Sequence, residues 1–141
     1  RRFFPVQGDM RTLPFADGSF DKSVSVTAIE FIENATLAVE EMFRVTRPGG
    51  TIVVATLNSL RPWAYRRREA GKKGHPLFSH AFFRSPEEMA ELSPVAGVIQ
   101  TAIHFQRTDA PDVALRTEKE GRKRDLKTGA FLGARWVKPG R

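Results

Sequence analysis

Three short stretches of this chain carry side chains suited to moving protons or holding polar ligands. Glu30 stands between Ile29 and Phe31 in the run Thr27-Ala28-Ile29-Glu30-Phe31. Apolar neighbours penalise the charged form of a carboxyl group, which suits it to act as a base or to bind a substrate amine; the same residue can equally point outward or cap a helix start. His80 lies within an aromatic stretch, Gly74-His75-Pro76-Leu77-Phe78 before it and Ala81-Phe82-Phe83 after it, where an imidazole can exchange a proton or simply pack. Gly8-Asp9-Met10 places an acid directly after a turn-forming glycine, with an apolar thioether beside it. His75, His80 and His104 lack the spacing of a zinc site, and a chain without cysteine has neither a thiolate metal site nor a disulfide framework.

These residues sit on loops between elements that the pattern defines. Lys22-Ser23-Val24-Ser25-Val26 alternates valine with serine, as a half-buried strand does, and Thr51-Ile52-Val53-Val54-Ala55 is a β-branched apolar strand. Between them, Ala35, Ala38, Val39, Met42 and Val45 recur at three- and four-residue steps and form one helix face. Asn34 is placed to cap that helix, Glu40 and Arg44 to pair across one turn, and Pro48-Gly49-Gly50 to end it and reverse the chain. Strand, helix and strand then make a right-handed crossover between parallel neighbours, and ligands sit at the carboxyl ends of such strands.

Further along, Leu60–Ala70 reads as a short helix broken by Gly71, with Trp63 and Tyr65 as its anchors. Ser85-Pro86-Glu87-Glu88 combines a hydroxyl cap, a proline in the first turn and a glutamate three residues after the cap. Met89, Ala90 and Leu92 are expected to face inward from it. Val95–Phe105 is β-rich, Gln106–Thr128 reads as a polar and partly mobile connection, and Ala130–Val137 reads as a final strand.

The composition of 141 residues, 40% of them hydrophobic, suits one domain with an ordinary core. The net charge of +7 gathers around Arg61–Lys73 and Arg116–Lys127. Such clusters attract anions, but the second contains no aromatic residue to stack on a base, which argues against nucleic acid. No apolar run is long enough to span a membrane and no signal peptide is visible, so a cytoplasmic protein is the default expectation. Arg1 in place of methionine suggests a chain that begins inside a longer reading frame.

Gly8-Asp9-Met10, then Leu13-Pro14-Phe15 with Asp17, Ser19, Phe20 and Asp21, then Arg44-Val45 with Arg47-Pro48-Gly49-Gly50, resemble in this order a class I S-adenosylmethionine-dependent methyltransferase of the small-molecule type. The match is strong over residues 3–58 and looser beyond. The resemblance implies an α/β fold: part of a Rossmann-like doubly wound sheet, mostly parallel with a final antiparallel strand. It implies that Asp9 accepts from the adenine amino group of S-adenosylmethionine while Met10 meets the ring, and that Thr27, Ala28 and Ile29 line the space beside the cofactor's methionine part. Glu30 stands where many relatives carry a histidine.

None of the eleven glycines forms the G-x-G-x-x-G pattern. Arg1–Gln7 corresponds to the third strand of the family, so residues 1–141 resemble the C-terminal portion of a single domain, with 57–94 as a substrate-lid-like insertion and helix. The expected function is methyl transfer to a small-molecule acceptor as part of a longer chain, with cofactor binding weak or absent in the 141 residues alone. The alternative is a non-catalytic subunit or fragment that uses an exposed strand edge to pair with another chain or with itself.

Overall fold

The computed structural model describes residues 2–140; Arg1, Arg141 and the side chain of Trp63, an expected helix anchor, lie outside that description. Strand β1 (Phe20–Val26) is followed by helix α1 (Ala35–Val45) and strand β2 (Thr46–Leu57). Next come α2 (Pro62–Lys72), α3 (Pro86–Glu91), β3 (Val98–Ala102), α4 (Pro111–Lys123) and β4 (Phe131–Val137). The sheet order is β1-β2-β4-β3: β1 and β2 run parallel, and β4 inserts antiparallel to both β2 and β3. This is the mixed α/β sheet the sequence implied, with β4 the one reversed strand.

Asn34 accepts from the Leu37 amide at the start of α1, and Ala35, Ala38, Val39, Met42 and Val45 are all buried, as their spacing required. Ser85 and Glu88 form a reciprocal capping box on α3. The core lies between these helices and one face of the sheet, where Ile52, Val54, Leu132, Ala134 and Trp136 meet Val39, Met42, Phe43, Met89 and Leu92. Ala90 is exposed, because the six-residue α3 turns only Met89 and the Leu92 that follows it inward.

The alternation in β1 is real, but its sense is the reverse of a valine-inward strand. Paired residues of adjacent strands share a face, so Ser23 opposite Ile52 and Ser25 opposite Val54 look toward the helices. Val24 and Val26 lie on the other face and are 63% and 55% exposed. Ser23 satisfies its hydroxyl on Thr46 at 2.6 Å. The Arg47-Pro48-Gly49-Gly50 reversal is a local break in register, with Phe20 opposite Thr46 but Lys22 opposite Thr51. Gly49 has φ +77° there, and a side chain on Gly50 would meet the Asp21 carbonyl oxygen at 2.7 Å.

Three further expectations are corrected. Residues 2–8 form no strand, and Phe3 and Phe4 are exposed. Gly71 does not break a helix; it lies inside α2, where a Cβ would come 2.5 Å from the Phe78 carbonyl oxygen, so glycine lets the following turn pack against the helix. The segment 106–128 is ordered by α4, which carries the i,i+4 pairs Asp112–Arg116, exposed, and Glu118–Arg122, where Glu118 is half-buried. Among the described residues no helix is long and apolar enough to cross a membrane.

Candidate functional site

The carboxyl ends of β1 and β2 open onto the loops that carry most of the candidate residues. The turn that presents Asp9 closes by a hydrogen bond from the Thr12 amide to the Asp9 carbonyl, 3.0 Å. Asp9 is exposed, and its carboxylate takes the Arg11 backbone amide at 2.8 Å and the Arg11 guanidinium on both oxygens, the shortest contact being 2.6 Å. Those bonds to Arg11 hold the Asp9 carboxyl down to about 2. Asp9 is therefore an anion throughout the physiological range. Two parallel N–H bonds leave further lone-pair directions of the carboxylate unused.

Behind Asp9 the loop is fastened to α1 by one arginine. Arg44 bonds Glu41 through Nε at 2.6 Å, Asp17 through Nη1 at 2.8 Å, and the carbonyls of Phe15 and Leu13. The expected Glu40–Arg44 pair gives way to this arrangement, because Glu41 faces the loop and also accepts from the Leu13 amide at 2.7 Å. The Arg44 guanidinium, more than the Leu13 amide, pushes the Glu41 carboxyl below its usual range.

The sign of the pH effect follows from that shift. A lowered folded-state pKa means the unfolded chain binds the extra proton first, so this contribution to stability is complete above the ordinary value of 4.5 and is lost as pH falls through the lower folded value. Urea titrations between pH 6 and pH 3 are expected to show falling stability, with a measurably shallower slope in Glu41→Gln; an unchanged slope in that variant would contradict the role.

Met10 is half-buried and packs against the core, and it shares with Ala28 and Val26 the walls of a cavity of about 410 Å³. The cavity continues along β1 past Ser25, Ser23 and Phe20 to Met42 and Val45 of α1. Asp9 and Thr27 adjoin these lining residues in sequence. Thr27 leaves the strand with φ +49°, its amide bound to the Ala55 carbonyl at 2.8 Å. Ile29, the third residue expected beside this space, has its side chain fully buried in the core. The backbone edge of β1 away from β2 pairs with no strand among the described residues.

Glu30 neither points outward nor caps a helix. It is 3% exposed in a single 3-10 turn, and its Oε2 atom is closed off from solvent with no hydrogen-bond partner. Arg84 approaches the same turn and donates to the carbonyls of Ile29, Ile32 and Phe82 at 3.1, 3.2 and 3.0 Å. The Phe82 amide donates to the Glu30 carbonyl at 2.6 Å, so the aromatic segment is tied down over Glu30. His80, two residues earlier, is exposed at the end of its own 3-10 turn. Among the described residues no group of three or more His, Asp or Glu side chains is disposed to hold a metal ion.

Sequence reasoning missed Arg84 and the bonds that Asn58 makes. Asn58 is fully buried at the end of β2 and donates from Nδ2 to the carbonyls of Lys127 and Gly129, both at 2.9 Å, which draws the loop after α4 against the carboxyl edge. A lone asparagine directly after an apolar strand was the available signal.

Comparison with known proteins finds similarity to methyltransferases in sequence and in fold. Residues 2–54 match the family model described as "Methyltransferase domain". The chain is 49% identical over 59 residues to a demethylmenaquinone methyltransferase of Beutenbergia cavernae, covering 42% of this chain and 24% of that protein. It is 30% identical over 131 residues to a bifunctional biotin biosynthesis protein of Teredinibacter turnerae, covering 84% of this chain and 23% of the relative. Among solved structures, a methyltransferase from Thermotoga maritima described as a possible histamine N-methyltransferase aligns with a TM-score of 0.75 at 20% identity, over 96% of this chain and 64% of its own. The chain thus spans about a quarter of the length of these two curated relatives.

Proposed function

From a chain that belongs to the class I S-adenosylmethionine-dependent methyltransferase family, we propose that residues 1–141 supply the adenine-side and acceptor-side walls of a methyl-transfer site within a longer polypeptide. The observation that carries this reading is the Asp9–Met10 turn. An exposed carboxylate, kept ionised and held in place by Arg11, stands next to a thioether that walls a cavity at the carboxyl edge of the sheet. A carboxylate accepts from an exocyclic amine, and a flat apolar wall suits a purine face. The residues present fit the adenine end of S-adenosylmethionine; Ala28 and the Thr27 backbone adjoin the same space.

When bound, the cofactor supplies a methyl group on a positively charged sulfur. The chain's own part is positioning. Asp9 and Met10 orient the nucleoside, and Thr27 and Ala28 border the approach to the reacting end. Such displacement depends chiefly on alignment of the reactants, with no obligatory catalytic side chain. On the acceptor side we assign Glu30, whose buried Oε2 lacks a partner, to hold a substrate amine or take its proton when the 78–83 segment lifts away. His80, facing solvent on that segment, is the second proton carrier we assign there.

The test is transfer of labelled methyl from S-adenosylmethionine to candidate small-molecule acceptors by a polypeptide in which a glycine-rich strand–turn–helix precedes these residues. Label is expected in the acceptor, and Glu30→Gln is expected to slow transfer to amine acceptors. Absence of both cofactor binding and transfer would overturn the reading. The open β1 edge favours a second one, a non-catalytic subunit that pairs with another chain through that edge. Concentration-dependent association without transfer would select it.

A further inference from the structure

A separate cleft lies at the same carboxyl edge, beyond β2, and belongs to neither the Asp9 turn nor the turn that buries Glu30. It measures about 450 Å³ and is built between the start of α2, the residues after β3 and the inner side of α4. Its floor is apolar: Val113, Leu126, the bare backbone of Gly121 and the ring of His104. Its remaining wall carries Arg61, Arg116 and Arg124, against a single carboxylate, Glu120. The charged lining is therefore net positive by two.

The cleft is assembled by specific contacts. His104 is 6% exposed and fixed on three sides. Its amide donates to Glu118 at 2.8 Å, its Nε2 faces the Thr101 carbonyl at 3.2 Å, and its own carbonyl accepts from Arg61 Nη2 at 2.8 Å. A carbonyl only accepts, so Nε2 carries a proton, which leaves Nδ1 as the second ring nitrogen. That Nδ1 is closed off from solvent and has no partner. Gly121 is what permits this seat, since a Cβ there would come 2.3 Å from the imidazole Cγ.

The arginines retain capacity for a ligand. The bond to His104 uses one of the five N–H donors of Arg61. Among the described residues, Arg116 pairs with Asp112 at 3.2 Å and Arg124 with Glu120 at 4.0 Å, contacts between exposed side chains that hold weakly. Guanidinium forks match a planar carboxylate in two parallel hydrogen bonds. An apolar floor of this kind disfavours a small hydrated anion and rewards one with a hydrocarbon body.

We propose that the α4–His104 cleft binds a small organic acid, its carboxylate on Arg61 and Arg124 and its apolar body on Val113, Leu126 and the Gly121 backbone. The site stands whether or not the β1 flank holds a cofactor, and its test is independent of methyl transfer.

The experiment titrates octanoate into the uniformly 15N-labelled 141-residue chain in 0.15 M salt and follows backbone amide shifts. The expected result is saturable displacement of the His104, Thr117, Gly121 and Arg124 signals, with octanol and inorganic phosphate each binding at least tenfold more weakly. Arg61→Gln and Arg124→Gln are each expected to weaken octanoate at least fivefold. Thr117→Trp, which fills the cleft from α4, is expected to abolish binding while the dispersed spectrum of a folded chain remains. Octanol binding as tightly as octanoate would overturn the role of the arginines. Phosphate binding as tightly would overturn the role of the floor. Shifts centred on the exposed valines of β1 would overturn the location.

Discussion

Trp136→Ala is expected to lower the unfolding free energy by about 3–5 kcal/mol, the range for removing a large aromatic side chain from a packed core. Trp136 is 1% exposed on the helix-facing side of β4. Its ring lies 6.3 Å from that of Phe43 on α1. Gly97 leaves room for it, since a Cβ at that position would come 2.2 Å from Trp136 Cδ1. The backbone of the turn before β3 therefore presses directly on the indole. β4 lies between β3 and β2 and pairs with both, so a cavity at Trp136 loosens the link between the crossover unit and the C-terminal part.

A domain of this size has roughly 5–15 kcal/mol in total, so the variant stands near the threshold of folding. Urea unfolding followed by circular dichroism measures the loss. Trp136→Phe, which keeps a ring in the same space, is expected to lose clearly less than the alanine variant. A cost below about 1 kcal/mol for the alanine variant would contradict the packing described.

The second large effect belongs to Asp9. An adenine amine that donates to a carboxylate makes a hydrogen bond to a charged group, and such bonds are worth about 1.5–3 kcal/mol. Removing the carboxylate is thus expected to weaken cofactor binding roughly 10- to 100-fold. The fold should not suffer, because Asp9 is exposed and, among the described residues, its bonds run only to Arg11 and, through its own backbone, to the amide of Thr12. An exposed ion pair of this kind contributes little to stability. Arg11→Ala is correspondingly a minor change: it frees the carboxylate without discharging it.

The crossover unit was legible because local signals agreed with one another. The apolar spacing of α1, the Asn34 cap, the capping box at Ser85 and the β-branched run of β2 each point to one local state, and the structure adopts it. Three features depended on distant partners and could not be read locally. The inward turn of Ser23 and Ser25 depends on which face the helices cover, and an alternating strand is silent on that. Arg44 prefers Glu41 to Glu40 because the loop carrying Leu13, Phe15 and Asp17 arrives on that side of α1. Gly71 looks like a helix breaker until the turn at Phe78 packs on it.

Helix α4 is a different case, since its signals were in the sequence. Pro111 stands at a helix start, and acid-before-base pairs four apart follow at Asp112–Arg116 and Glu118–Arg122. Its polarity varies at the helical period, but its apolar content is low and Gly121 is its only buried residue, so the signal lies in its charged residues and not in an apolar face. Of the residues that the resemblance singled out, Met10 and Ala28 line the cavity beside β1 and Glu30 is buried. Ile29 went to the core, because in a tight 3-10 turn neighbouring side chains diverge by about a third of a revolution.

The central claim, that the Asp9 turn grips the adenine of S-adenosylmethionine, meets its most direct test in one binding measurement. Calorimetric titration of S-adenosylhomocysteine into a polypeptide that carries a glycine-rich strand–turn–helix ahead of these residues would compare wild type with Asp9→Ala. A loss of roughly 10- to 100-fold in affinity, at unchanged thermal stability, is the result this account predicts. Equal affinity in the two proteins would contradict it.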